Sequence, residues 1–398
     1  MIRIRFRMSH LENNRSPNRR DFLRILTVLG GAGVVTSFLN ACARIGLVTP
    51  GVATPTGNAP AKTATATDRS EKVSTETPVM SEHEQNKPTT EPSQVKKADV
   101  VKIVLVKTAD RAEGVRRAVE LLGINPVNGK TVFLKPNFNS AHPAPGSTHP
   151  DVLRALVLKL QEMGANSITV GDRSGMGDTR TVMDQLGVFA MGEELGFKTL
   201  VFNELGSDGW VKHQPGGSHW RDGFLFAQPC LDCGAIVQAC CLKTHQYGGV
   251  FTMSLKNSVG MAAKVNPVSG YDYMRELHSS SDQRRMIAEI NTAYSPGLVV
   301  MDGVEAFRNG GPHEGERVSP ELVLAGTDRV ALDAAGVAVL QKFNALRDKP
   351  VFEREQIARA VELGLGVDRP EKIEFITGDT PSREYAFEIK QILMNGWS

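Results

Sequence analysis

From Val100 onward short β-branched runs alternate with amphipathic stretches, and this alternation limits the folds open to the chain more than any other feature. VVKIVLV, KTVFLK, SITVGD, KTLVFN, GAIVQACC, GLVVMDG, ELVLAGT and KIEFITG read as strands. Between them DRAEGVRRAVELLG, HPDVLRALVLKLQEMG, TRTVMDQLGVFAMGEELG, DRVALDAAGVAVLQKF and REQIARAVELG carry apolar residues at helical spacing. Asp328 stands where the fourth helix needs an N-cap. Such a pattern predicts an α/β domain, a largely parallel sheet covered by helices, over residues 100–398.

What precedes it is different material. In residues 1–41 the pair Arg19-Arg20 is followed by a short apolar run ending at Leu39-Asn40-Ala41-Cys42. That order reads as a twin-arginine export signal with Cys42 as the lipidated first residue of the mature chain. The run is too short and Gly-rich for a membrane span. Residues 42–99 are rich in Thr, Pro, Ala, Ser, Glu and Lys. They bury too little apolar surface to offset the entropy of ordering, so a disordered N-terminal tether is expected. The expected location is the extracytoplasmic face of the cell envelope, reached through the twin-arginine translocase and held to the membrane by lipid on Cys42. Lys+Arg number 46 against 44 Asp+Glu, a net charge of +2, and no basic run is interleaved with aromatics. Nucleic acid is therefore not an expected partner.

In parallel sheets ligands bind beyond the carboxyl ends of the strands. Lys135, Pro136 and Asn137 stand at one such end, Gly171-Asp172-Arg173 at the next, then Lys243, Thr244 and His245, then Asp302-Gly303, then Thr327-Asp328. KTHQYGGVFTMSLKN adds Lys256 and Asn257. Lys135, Lys243 and Lys256 could hold a carboxylate or phosphate, with Asn137 and Asn257 beside them. Asp172, His245 and Asp302 could bind a metal or move protons. The plainer reading makes the aspartates turn residues and the lysines solvated. GINPVNGKT is no phosphate loop: its glycines are one residue too far apart, and it lies between a helix and a strand. There is no G-x-S-x-G and no H-E-x-x-H.

Four of the 5 cysteines, Cys230, Cys233, Cys240 and Cys241, crowd into PCLDCGAIVQACC. With His245 they could ligate zinc, nickel or an iron–sulfur cluster. Disulfides or a Cys230–Cys233 redox pair are permitted outside the cytoplasm. Plain buried filler is the third reading.

KPN at 135–137, THP at 148–150, VGD at 170–172, KTH at 243–245, SLKN with Gly260, His278, MDG at 301–303, GGP at 310–312 and AGTD with Asp333 occur in order. Together they resemble the exported members of the family called domain of unknown function 362. More distantly they resemble the catalytic domain of nickel-dependent lactate racemases. The resemblance implies an α/β domain, in a family some of whose members carry separate iron–sulfur modules. The expected function is a metal- or iron–sulfur-dependent enzyme, an isomerase or oxidoreductase, acting on a small anionic metabolite. The alternatives are a lipid-anchored solute-binding protein and an electron-transfer protein.

Overall fold

Alternate residues of the strands feed different cores. Ile103, Leu105, Leu242, Met301, Leu322 and Leu324 pack on one side of the sheet with the helix Arg329–Lys342. Val104, Val106, Val132, Leu134, Val237, Val300 and Val323 pack on the other with the helices Arg111–Leu122 and Pro150–Glu162. Burial on both faces is why the strands read as near-continuous apolar runs. A third, aromatic cluster joins Phe133 and Ile236 to Trp220, Phe224 and Phe226, under the helices Tyr273–Ser279 and Gln283–Ile290.

The computed structural model describes residues 100–396. The expected signal with Arg19, Arg20 and Cys42, and the expected tether, lie outside the described residues. The strands are β1 (Val101–Lys107), β2 (Thr131–Lys135), β3 (Ser167–Asp172), β4 (Lys198–Val201), β5 (Trp210–His213), β6 (Phe224–Ala227), β7 (Ala235–His245), β8 (Val250–Thr252), β9 (Leu298–Phe307), β10 (Arg317–Val318), β11 (Leu322–Gly326) and β12 (Ile373–Ile376). The main sheet has 10 strands, with the path β12-β1-β11-β9-β7-β2-β3-β4, while β5 and β6 pair apart from it. The run β9-β7-β2-β3-β4 is parallel throughout, so the α/β expectation holds. No helix of the described residues is long and apolar enough to cross a membrane.

Three local expectations change. First, β11 runs antiparallel to both β1 and β9, so Thr327-Asp328 leaves the sheet at the opposite edge from the other polar strand ends. Asp328 caps its helix as expected, accepting the N–H of Ala331 at 2.8 Å. Second, β7 does not end at Cys241 but runs on through Lys243-Thr244-His245, because β8 folds back and pairs with those three residues. Third, β9 continues to Phe307, which puts Asp302 inside a strand.

Candidate functional site

Lys135 ends β2, Asp172 ends β3 and His245 ends β7, three parallel strands whose carboxyl ends open on the same edge. Lys135 Nζ lies 2.7 Å from Asp172 Oδ1 and also donates to Pro136 O at 2.6 Å and Asn257 Oδ1 at 3.3 Å. Both members of the pair are buried. Burial pulls the lysine's pKa down and the carboxyl's up, while their contact and two backbone N–H donors, Phe138 at 2.7 Å and Arg173 at 2.6 Å, oppose it for Asp172. Gly260 permits this approach: a Cβ there would stand 2.8 Å from Lys135 Nζ.

Lys243 is wholly enclosed and donates to Asn137 Oδ1 at 3.0 Å, to Pro312 O at 2.9 Å and to Gly146 O. None of these acceptors is charged. Desolvation lowers its pKa to about 8. The GGP stretch builds one side of this cradle. Gly311 has φ 71° and presses on the Thr244 carbonyl, a place no side chain fits.

Lys256 lies on the short helix Ser254–Asn257, half-buried, and its ammonium has no hydrogen bond or ion pair among the described residues. Desolvation first, then the charges of Lys243 and Arg173, lower its pKa to about 7. The helix is held by Asp333, which accepts Ser254 N at 2.8 Å, Ser254 Oγ at 2.6 Å and Leu255 N at 3.0 Å. Asn257 Oδ1 faces Lys135 at 3.3 Å and Asn137 Nδ2 at 3.5 Å.

His245 is 6% exposed, and its Nδ1 is buried without a partner. Burial, then the charges of Lys256 and Lys243, push its pKa far below the ordinary imidazole value, so the ring is neutral. His245 and Lys256 meet at Gly249, where a Cβ would lie 2.6 Å from Lys256 Cε and 2.9 Å from His245 Nδ1. Tyr247, 52% exposed, borders His245 edge-on at 5.9 Å between ring centroids and stacks on His313 at 6.4 Å.

The structure thus brings together Lys135, Asn137, Asp172, Lys243, His245, Lys256 and Asn257. Arg173 belongs with them. Its guanidinium donates to the carbonyls of Ala262 and Val259, and burial lowers its pKa to about 10. Sequence reasoning placed Arg173 at the strand end with Asp172 but gave it no role. His278 bonds Met274 O at 2.6 Å, as a structural residue would, yet it lies within the field of Lys256 and Arg173.

Two expectations read differently in the structure. Asp302 lies inside β9, where its carboxylate is engaged by protein groups: it pairs with Arg111 at 3.0 Å and accepts the Val304 N–H at 3.0 Å. The cysteines are not gathered around a metal position with His245. Among the described residues no group of three or more His, Cys, Asp or Glu could hold a metal ion, and Cys230, Cys233, Cys240 and Cys241 are free thiols. Cys230 packs in the aromatic cluster and Cys240 under the helix Arg329–Lys342. Cys241, its strand neighbour, faces the other way, within the field of Lys243 and Asp302. Burial raises the pKa of all four thiols, Cys241 to about 11. These residues do not fit zinc, nickel or a cluster.

A family described as "Domain of unknown function (DUF362)" matches residues 132–338, which hold every clustered residue named above. The chain is also 25% identical over 221 residues to the thylakoid-associated protein sll1697 of Synechocystis sp.. That match covers 54% of this chain and 64% of the relative's length.

Proposed function

The chain belongs to the family described as a domain of unknown function, DUF362, and on that footing we propose that its carboxyl-edge cluster binds a small anion and acts on it. The observation that carries the reading is a charge imbalance. Among the described residues, Lys135, Arg173, Lys243 and Lys256 stand together, Asp172 is the carboxylate paired with one of them, and Lys256 has no hydrogen bond or ion pair. Burying ammonium groups without countercharge costs several kcal/mol, on the order of the stability of a domain. A structural role gives no return for that cost, whereas a carboxylate or phosphate arriving at Lys256 offsets it.

The roles differ from those the sequence suggested. Lys135 and Lys243 have their N–H groups engaged by protein oxygens, so they supply field and hold the loops. Lys256 is the cation free to touch the ligand, and the neutral His245 beside it offers Nδ1 as a hydrogen-bond acceptor. The reading needs no metal.

The proposal includes export and lipid anchoring. Arg19-Arg20, the apolar run and Cys42 support it, and the thylakoid-associated relative is named for a membrane. The chain spans about 64% of that relative's length.

Titration of the full chain with acetate, oxalate and phosphate by calorimetry tests the site. Lys256→Met should weaken the best of these by tenfold or more, about 1.4 kcal/mol. Affinity should fall as pH rises through about 7, where Lys256 loses its proton. Unaltered binding in Lys256→Met would sink the reading.

A further inference from the structure

We propose that Lys256 is a covalent catalytic residue whose amine condenses with a carbonyl group on the bound anion, so that the substrate class is a small carboxylate bearing an aldehyde or ketone. This deepens the anion-site reading and rests on it.

Three observations converge. The first is the isolation of the amine. A lysine placed only to bind charge is normally held by a carboxylate or by carbonyls, as Lys135 and Lys243 are here. Lys256 has neither among the described residues, while its chain neighbours are engaged elsewhere, Asn257 by Lys135 and Ser254 by Asp333. The second is the company it keeps. Lys243 and Arg173 disfavour a further positive charge at Lys256, and burial does so more strongly, so that a large fraction is uncharged amine near neutral pH. A neutral amine beside other cations is the activated form of a lysine nucleophile. The third is His245, with its unpartnered Nδ1 against the same glycine, Gly249, that Lys256 touches.

The chemistry balances within these groups. The Lys256 nitrogen adds to the carbonyl carbon and the C–N bond forms. The carbonyl oxygen takes up two protons, both from the amine, and leaves as water. The resulting imine takes one proton from solvent and becomes a cation that draws electrons from the adjacent carbon. A proton released there leaves to solvent, and the neutral His245 Nδ1 stands beside it as a hydrogen-bond acceptor. No electrons are lost or gained, and no oxidant is required. The substrate's carboxylate lies in the field of Lys243 and Arg173, which explains why cations that do not touch the ligand are retained.

The test uses the full chain with glyoxylate, pyruvate and the carbonyl-free control acetate. Each is incubated at neutral pH with cyanoborohydride, and the products are mapped by intact mass and peptide mass spectrometry. One adduct per chain is expected with glyoxylate or pyruvate, on Lys256. It should form on the order of tenfold or more faster than at the exposed Lys264. Excess acetate should slow it by occupying the anion position. In Lys256→Arg the fast adduct should vanish while circular dichroism stays unchanged. Labelling of Lys256 no faster than of Lys264, with acetate still binding in calorimetry, overturns the covalent role and leaves the anion site standing. Failure of acetate, glyoxylate and pyruvate to bind, together with slow labelling, overturns both.

Discussion

Lys243 meets three oxygens and no charge. Its three N–H groups are accounted for by Asn137 and Gly146, from the connection after β2, and by Pro312, from the loop after β9. Lys135 is satisfied differently, by one carboxylate and two neutral oxygens. Lys256 has nothing. Three residues of one type, all written as anion holders by sequence, therefore divide into a loop clasp, a buried ion pair and a free amine. Gly260 shows how little room the ion pair has. Gly260→Ala should push Lys135 and Asp172 apart and cost about 1–3 kcal/mol in denaturant unfolding. It should also weaken acetate binding, because Asn257 and Asn137 bond to the same cluster. A variant as stable as wild type would show that the pair gives way without loss.

At the scale of elements, the site depends on a four-residue helix, Ser254–Asn257, far too short to persist by its own hydrogen bonds. Asp333 fastens it from the middle of the sequence-distant helix Arg329–Lys342 by accepting two backbone N–H groups and a hydroxyl. The buried carboxyl has its pKa raised to about 7, desolvation being the main cause. Asp333→Ala leaves the Ser254 and Leu255 N–H groups without an acceptor. It should cost about 2–3 kcal/mol and lower anion affinity, since Lys256 and Asn257 ride on the freed helix. Asp333→Asn keeps one acceptor oxygen and should lose less in both melting temperature and affinity. Equal losses in the two variants would rule out the capping role. AGTD and SLKN are separate motifs in the sequence; Asp333 and Ser254 make them one contact.

For the molecule as a whole, the uncompensated charge should appear as a pH dependence of stability. The groups facing Lys256 are Lys243, Arg173, His245 and His278, with Asp172 already held by Lys135. Lys256 has a folded pKa of about 7 against an ordinary 10.5. Between those values the unfolded chain binds more protons than the folded one, so this group's contribution rises with pH across that window. Below pH 7 both states carry the proton and the full penalty remains. Relative to Lys256→Met, wild-type protein should therefore gain on the order of 3 kcal/mol between pH 7 and pH 10 in urea unfolding. Saturating phosphate should shrink the gain by restoring the charged form. A difference that stays flat with pH would mean that the amine is not displaced.

The sequence by itself determined the strand–helix order, the parallel central strands and the strand ends at which Lys135 and Asp172 stand, because these follow from periodicity and local chemistry. It also determined the Asp328 cap, which depends on residues three apart. Tertiary structure alone decided the rest. An antiparallel β11 carried Asp328 to the far edge, and an extended β9 left Asp302 to Arg111. Alternation along β7 sent Cys240 and Cys241 to opposite faces. Which lysine keeps a free amine is likewise a matter of what oxygen lies within reach, and for Lys135 and Lys243 those oxygens belong to residues up to 122 positions away. Pattern along a chain reports the direction of a side chain; only packing reports what it meets.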